Sequence, residues 1–329
     1  MEGNRDGKRI VLFKNLNVYR CETTASAQDM QAALERARFA ECGATEPLSS
    51  GWVAPRGQAD AALVEAVGGQ WLMTLMSERR LLPSAVVKTR VDEMAARVER
   101  ESGRKPGKKL RRELKDQAVL ELLPQAFTKR ASFKVWLDPL AQRLLIDASS
   151  AARADEVVTQ LVQAVPALVV KPLHTARSPA ALMADWLLND EQVPAHFSVD
   201  RECELKADDE MKAVVRYARH RLDTDEVRAH IRSGKRPTRL ALTWQGRVSF
   251  VLSDAGQIKK LDFLDVVFEN KPARADEHEA FDADAAIATG ELVRLLPDLL
   301  DALGGEHTPG AEQAAETPPV RHAAVTATA

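Results

Sequence analysis

The sequence predicts an α+β protein that folds as more than one compact unit. Predicted strands and helices fall in separate clusters along the chain, which favours α+β over a doubly wound sheet. At 329 residues the chain exceeds the usual size of a single hydrophobic core, and its 45% of hydrophobic residues is ample for two. We therefore expect a multi-domain protomer with antiparallel β-meanders, a projecting helical hairpin and a second α+β domain.

The expected domain boundaries follow changes in composition. Residues 1–82 and 124–170 form the predicted central α+β domain, and residues 83–123 form the hairpin that interrupts it. A second α+β domain is predicted for residues 171–305. Beyond it, in residues 306–329, Thr, Pro and Ala accumulate and periodicity ends, so we expect a disordered tail.

Strand and helix signals follow one another in the first part of the chain. Apolar residues predict a strand at 10–13 that continues through 16–19. A helix follows, with Ser26 as its N-cap. Further strands are predicted at 51–55, where proline stops the strand, and at 70–76.

Two amphipathic helices are predicted between Pro83 and Pro124. Apolar residues recur every three or four positions in 84–101 and again in 108–123. The segment 103–107, with two glycines and a proline, breaks the helix between them. The pattern therefore predicts a helical hairpin.

Alternating apolar residues predict β-hairpins and a meander in the rest of the chain. Residues 133–137 and 144–146 predict paired strands, followed by a helix at 154–165. The meander spans 240–261, with turns at its glycines. Helices are predicted just before it, at 226–233, and after it, at 283–303.

Charge is segregated along the chain although the net charge is only −2. Residues 88–134 contain 14 Lys/Arg against 7 Asp/Glu, a surplus of +7, whereas residues 262–306 contain 12 Asp/Glu against 3 Lys/Arg, a deficit of −9. Four cations share one face of the second hairpin helix, opposite its leucine stripe. They are Lys108, Arg111, Arg112 and Lys115. This face is either a phosphate-binding surface or an ordinary solvated helix face, and charge alone does not decide between them.

Cysteine usage and hydropathy indicate a reducing, aqueous compartment. Cys21, Cys42 and Cys203 are scattered and odd in number, so we expect buried free thiols rather than a disulfide framework. Residues 1–9 are polar without a following apolar region, and no apolar run is long enough to span a bilayer. We expect a cytoplasmic protein.

Common catalytic motifs are not matched. The segment 103–109 has three residues between its glycines instead of four, and Lys109 where a phosphate loop requires Ser or Thr. The seven histidines have no zinc-ligand spacing, and Gly-x-Ser-x-Gly is absent. Asp282, Asp284 and Glu291 are candidate magnesium ligands of a nuclease, but acidic residues also favour a helix start. We expect no catalytic residue, no metal and no cofactor.

Several short segments together resemble one family, the bacterial recombination-associated RdgC proteins. The order and spacing of these segments, between about residues 10 and 306, carry the resemblance. They are Phe13-Lys14-Asn15-Leu16, Val18-Tyr19-Arg20, Gly51-Trp52-Val53, Leu82-Pro83-Ser84, Leu122-Leu123-Pro124-Gln125-Ala126-Phe127, Lys235, Leu240-Ala241-Leu242, Trp244-Gln245, Phe281-Asp282-Ala283-Asp284, Thr289-Gly290-Glu291-Leu292 and Leu303-Gly304-Gly305-Glu306.

The resemblance implies a DNA-binding protein without known catalysis. Its members are ring-shaped homodimers around a positively charged hole. They bind duplex DNA, and single-stranded DNA less well, with little sequence preference. They are associated with the nucleoid and restrain the RecA recombinase, directly or by occupying DNA.

Residue roles also follow from the resemblance. Phe127 matches a phenylalanine at a ring contact, with a core residue of the hairpin as the alternative. Arg219 and His220 match a family Lys-Gln pair implicated in DNA contact, and His220 departs from that pattern. The alternative for both residues is an exposed helix face without a role in binding. The residues expected to contact DNA are Lys105, Lys108, Lys109, Arg111, Arg112, Lys115, Lys129, Arg130, Lys134, Arg219 and His220.

Two other functions remain open at this point. The first is a magnesium-dependent nuclease acting on recombination intermediates through Asp282 and Asp284. The second is a protein-interaction module that binds RecA and touches DNA only incidentally.

Overall fold

A computed structural model describes residues 12–58, 60–269 and 277–307, and it confirms the α+β class. Helices and antiparallel strands both occur throughout these ranges. The helices are α1 Ala27–Glu35, α2 Ser84–Ser102, α3 Lys108–Leu122, α4 Ala151–Ala164, α5 Pro179–Leu188, α6 Asp225–Arg232 and α7 Glu277–Ala302. The strands are β1 Leu16–Thr23, β2 Leu48–Val53, β3 Glu65–Val67, β4 Gln70–Arg80, β5 Thr128–Asp138, β6 Arg143–Asp147, β7 Leu168–Pro172, β8 His174–Thr175, β9 Phe197–Ala207, β10 Val214–Ala218, β11 Lys235–Trp244, β12 Val248–Ser253, β13 Ile258–Phe263 and β14 Glu306–His307.

The described chain divides into two compact units. The first contains the described residues up to Lys171, with Gly246–Val251 and Gln257–Glu291. The second contains Pro172–Gln245, Leu252–Gly256 and the described residues from 292 onward. The range 171–305 expected for the second domain includes two segments that group with the first unit here. Strand pairing explains the grouping of Gln257–Glu291, because β13 pairs with β1.

The first unit is built on an antiparallel sheet with strand order β13-β1-β6-β5-β4-β2. Alternation along β4, β5 and β6 directs every second side chain to the same face. On one face α1 and α4 cover the sheet, with Met30 and Leu161 fully buried against Met73, Val135 and Ile146. On the other face the buried ring of Trp136 stacks on Phe13, with 5.8 Å between ring centroids.

The predicted N-cap of α1 is confirmed. The Ser26 hydroxyl accepts a hydrogen bond from the backbone N–H of Asp29, and the Asp29 carboxylate accepts one from the backbone N–H of Ser26. This reciprocal capping box satisfies two N–H groups that the helix start would otherwise leave unpaired.

The predicted helical hairpin, α2 with α3, projects from the end of β4 as two antiparallel helices. The guanidinium of Arg90, near the start of α2, lies 2.7 Å from the Glu121 carboxylate, near the end of α3. The hairpin has its own small buried cluster, formed by Met94, Ala95, Leu114 and Ala118. Gly103 ends α2 with a φ of 67°, a left-handed conformation that glycine adopts without strain.

The second unit contains three neighbouring antiparallel strands in the order β10-β9-β11, with α5 and α6 packed on one face. Cys203, Tyr217 and Leu240 lie opposite one another on neighbouring strands and are buried on that face. A separate two-stranded ladder joins β8 to β14.

Two sequence predictions need correction, and each falls partly outside the described residues. The strand predicted at 10–13 is not formed at Leu12 and Phe13, and β1 begins only at Leu16; residues 10 and 11 lie outside the described range. The predicted disordered tail begins too early, because β14 pairs with β8 and gives its backbone groups partners. Its remainder, residues 308–329, lies outside the described range.

Elements that the sequence did not predict are concentrated in the second unit. Asp185 is the single polar residue of α5, and the rest are Pro, Ala, Leu, Met and Trp, so the helical period that marks an amphipathic helix is weak. β9 does alternate, with Phe197, Cys203 and Leu205 facing α5 and α6, and this period-two signal is sufficient to find it.

Candidate nucleic-acid interface

The cationic face predicted for α3 is exposed. Lys108, Arg111, Arg112 and Lys115 point to solvent, and the buried Leu114 lies on the opposite face. The fixed helical spacing brings the four charges within about two turns of helix. Arg111 lies 3.9 Å from Asp92 on α2, but both side chains are more than half exposed and such a pair contributes little.

The start of α3 adds to this positive potential. Its N-cap, Gly107, provides no side-chain hydrogen bond, and no acidic residue lies in the first turn. Lys108 and Lys109 occupy that turn instead, beside the positive end of the helix dipole. Lys105, in the connecting loop, is also exposed. This end of the hairpin combines the backbone N–H groups of a helix start with several cations, an arrangement that attracts phosphate.

Lys129 and Arg130 are neighbours on β5 but have different surroundings. The Arg130 Nε donates to the buried Glu78 carboxylate at 2.8 Å, and its Nη2 donates to Glu41. Its guanidinium also lies over the ring of Phe39, 5.7 Å from the centroid. Lys129 is exposed on the strand.

The Glu78 carboxylate accepts hydrogen bonds from Arg130, from the backbone N–H of Cys42 and from the side chain of Thr128. The Arg130 guanidinium, and next the backbone N–H of Cys42 at 2.7 Å, lower the pKa of the Glu78 carboxyl below its ordinary value. Arg130 therefore has a structural partner on the sheet, and a phosphate would compete with that carboxylate for it.

Lys134 lies further along β5 and is half-buried. Burial lowers its pKa, while the nearby Asp147 carboxylate acts in the opposite direction. It lines a small cavity with Phe13, Thr74 and Phe281 rather than the outer surface. The expected DNA contact by Lys134 is therefore not included in the interface proposed below.

Phe127 is 85% exposed, immediately before β5. Its backbone carbonyl accepts a hydrogen bond of 2.7 Å from the N–H of Leu81. The alternative that Phe127 is a core residue of the hairpin is wrong, because its ring is not in the hairpin cluster.

Arg219 and His220 follow β10 in the second unit. Arg219 is exposed and adopts a φ of 57°, and His220 is exposed with its Nδ1 2.6 Å from the carbonyl oxygen of Arg221. The His220 ring lies 5.4 Å from that of Tyr217. The helix face that sequence reasoning allowed here is wrong, because Arg216–Ala218 form the end of a strand.

Sequence reasoning missed the cations of the sheet in the second unit. On the face opposite α5 and α6, Lys206, Arg216 and Arg236 are exposed. Carboxylates share that face, and Glu204 lies 2.6 Å from Arg216. The face is therefore mixed in charge. The alternation of β9 could have revealed it.

The candidate magnesium ligands lie in separate environments along α7. The Asp282 carboxylate is 2.6 Å from the guanidinium of Arg56, and the Glu291 carboxylate is 2.6 Å from that of Arg247. Among the described residues no group of three His, Cys, Asp or Glu side chains is arranged to hold a metal ion.

The three cysteines are free thiols in the structure. Cys21 and Cys203 are buried and Cys42 is half-buried, all three as free thiols. No helix of the described residues is both long enough and apolar enough to cross a membrane.

Comparison with known proteins identifies the family. A family model described as "Putative exonuclease, RdgC" matches residues 11–306. The chain belongs to the RdgC family. The recombination-associated protein RdgC of Dechloromonas aromatica is 46% identical over 300 residues, which cover 89% of this chain and 98% of that protein. Those of Cupriavidus pinatubonensis and Bordetella pertussis are 47% and 42% identical over 297 residues, again covering 89% of this chain and 98% of theirs.

Membership of the RdgC family confirms the resemblance found in the sequence. It makes this chain a member of a family of recombination-associated proteins. The family model carries an exonuclease description, whereas the relatives are named for recombination. Names alone do not distinguish binding from cleavage, so the geometry of the described residues has to carry the choice.

Proposed function

We propose that this chain is a non-catalytic DNA-binding protein that encircles duplex DNA as a ring-shaped homodimer without sequence preference. One observation carries the proposal: the exposed face of α3, where four cations adjoin an uncapped helix start. Phosphate contacts position a protein on DNA without conveying sequence, which suits a role that depends on occupancy. Single-stranded DNA is bound less well.

The proposed interface has two parts, each on its own unit. The first part is the hairpin with Lys129, and its residues are Lys105, Lys108, Lys109, Arg111, Arg112, Lys115 and Lys129. The second part is Arg219, with His220 beside it. Phe127 is proposed to contact the partner protomer.

The biological consequence proposed is modulation of RecA-dependent recombination. A protein that occupies duplex DNA in the cytoplasm, at the nucleoid, restrains RecA by limiting its access to DNA or by touching it directly. Gel shift with purified protein and labelled duplex tests whether DNA is the primary ligand, because the shift must then occur without RecA. No shift without RecA would favour the protein-interaction module.

A salt titration tests the electrostatic basis of binding. If about six phosphates are neutralised, log affinity against log salt has a slope near −5, from about −0.9 per phosphate. Affinity that does not change with salt would contradict the proposed interface.

The second candidate function, a magnesium-dependent exonuclease, is favoured by the description of the family model. It requires degradation of an end-labelled duplex in Mg²⁺ or Mn²⁺, and loss of that degradation in Asp282→Ala or Asp284→Ala. The ion pairs of Asp282 with Arg56 and of Glu291 with Arg247 favour a structural role for these carboxylates. An intact duplex after incubation with either metal supports the non-catalytic proposal.

A further inference from the structure

Arg80, the last residue of β4, donates hydrogen bonds to backbone carbonyls of two separate segments. Its Nη1 lies 3.2 Å from the carbonyl oxygens of both Leu123 and Ala126. Its Nη2 and Nε lie 3.0 and 3.2 Å from that of Gly43, and its Nη2 lies 3.4 Å from that of Cys42. One half-buried guanidinium thus joins the turn after α3 to the loop before β2.

This side chain lies where the hairpin leaves the sheet. The ladder between β4 and β5 ends at the pair Arg80 and Thr128, and one further backbone bond, from Leu81 to Phe127, closes the base. Beyond that bond the two chain segments separate into α2 and α3. The base of the hairpin is therefore the short region in which its direction is fixed.

The hairpin packs mainly on itself. Its buried cluster of Met94, Ala95, Leu114 and Ala118 is distinct from the cluster beneath α1 and α4. A helix pair with its own core keeps its internal structure when its base loosens, but loses its direction relative to the sheet.

An arginine is required for such a contact. The turn after α3 presents the carbonyl of Leu123, which also accepts a hydrogen bond from the backbone N–H of Ala126, and the carbonyl of Ala126, which lies beyond the last helical residue. A guanidinium has five N–H donors in a planar fork and reaches several carbonyls at once, whereas a lysine ammonium is a compact point charge on a flexible stem.

We propose that Arg80 is a positioning residue that fixes the direction of the hairpin and so aims the cations of α3 without touching DNA. This inference rests on the proposed function for its consequence in DNA binding, but not for its structural content. Arg80 holds the base of the hairpin, where the sheet connects to two helices that have their own buried cluster.

The test compares Arg80→Lys with Arg79→Lys, a matched change at the neighbouring exposed arginine. Hydrogen exchange of the full chain should show amides at the base, such as those of Leu81 and Ala126, exchanging at least about tenfold faster in Arg80→Lys. Amides in β5, β6 and the hairpin cluster should keep their rates. Duplex affinity should fall severalfold with a shallower salt slope, because a loosened arm engages fewer phosphates. Arg79→Lys should change neither.

Other outcomes would overturn the inference. Base amides that exchange at the wild-type rate in Arg80→Lys would show that the guanidinium does not hold the hairpin. Should Arg80→Lys fail to fold, hydrogen exchange of the wild-type protein in mild denaturant still decides. Amides at the hairpin base must then exchange at lower denaturant concentration than those of the sheet. Exchange of both groups in one common unfolding step contradicts the proposal.

The two proposals fail separately. A wild-type protein that does not bind duplex would end the proposed function, while the exchange rates at the base would still decide the role of Arg80. A protein that binds duplex equally well with either residue at position 80 would end the positioning role alone.

Discussion

Adjacent cations on one strand can serve different purposes in this protein. Lys129 is exposed, whereas the guanidinium of Arg130 pairs with the buried Glu78 and with Glu41. Sequence charge alone gives both residues the same weight. The partner of each one, visible only after folding, separates a binding cation from a structural one.

This difference predicts that alanine substitution affects DNA binding at Lys129 and stability at Arg130. Lys129→Ala should weaken duplex binding and leave the thermal midpoint unchanged. Arg130→Ala should lower the thermal midpoint, because the buried Glu78 carboxylate keeps only its remaining donors. Thermal unfolding and gel shift of both variants measure this. Equal loss of stability in the two would contradict the assignment.

The exposure of Phe127 predicts a variant that folds normally. Phe127→Ala should leave the circular dichroism spectrum and thermal midpoint unchanged, because its side chain is 85% exposed. It should also weaken protomer association and shorten retention on duplex DNA, since aromatic residues are enriched at protein–protein interfaces. Light scattering and dissociation rates measure this.

Leu140 offers the matched control for Phe127. It is 94% exposed in the turn between β5 and β6, in the same unit. Leu140→Ala should change neither association nor retention. Equal effects of both variants would mean that general loss of apolar surface, rather than a contact at Phe127, is responsible.

At the scale of whole elements, the hairpin is the part that the sequence predicts best. Its helices have a clear apolar period and its break contains two glycines and a proline, so α2 and α3 lie within a residue of their predicted bounds. α5 was missed because Asp185 is its single polar residue, which leaves its hydrophobic period weak. Periodicity reports an element only when one face remains in water.

The residues of the candidate site also differ in whether local sequence predicts their surroundings. Cations on α3 follow from helical spacing alone, because their face is set by local geometry. Lys134 lines a cavity with Phe13 and Phe281, and Arg130 pairs with Glu78, so both environments depend on residues distant in the sequence. The sequence alone does not indicate these interactions.

Removing two charges from α3 should change the salt dependence of binding. In Arg112→Gln with Lys115→Gln, the slope of log affinity against log salt should become less negative by about 1.8, because two fewer phosphates are neutralised. Glutamine preserves helix propensity, so the hairpin should keep its fold.

A control with the same charge change elsewhere makes this test specific. Arg153→Gln with Lys171→Gln removes two cations from α4 and β7, outside the proposed interface. Their ion pairs with Glu156 and Glu22 lie on the surface, so little stability depends on them. A slope change of similar size in this control would show that only net charge matters.

At the scale of the whole molecule, we propose that a ring encloses duplex DNA. A comparison of linear with circular duplex tests this. A closed ring that has loaded should leave linear duplex by sliding off its ends, but should stay on a covalently closed circle of the same sequence. Challenge of preformed complexes with high salt should therefore release linear duplex faster than circular duplex. Equal release from both would contradict enclosure while leaving DNA binding intact.

The short loop between α2 and α3 has a consequence for how the protein can be digested. It exposes Arg104, whereas the bond after Lys105 precedes Pro106 and resists trypsin. Brief proteolysis should therefore nick the chain after Arg104, leaving two fragments held together by the hairpin cluster. Duplex lying on α3 would shield this bond. Slower cleavage after Arg104 in the presence of DNA would then show that DNA covers the hairpin. This test needs no substitution in the chain.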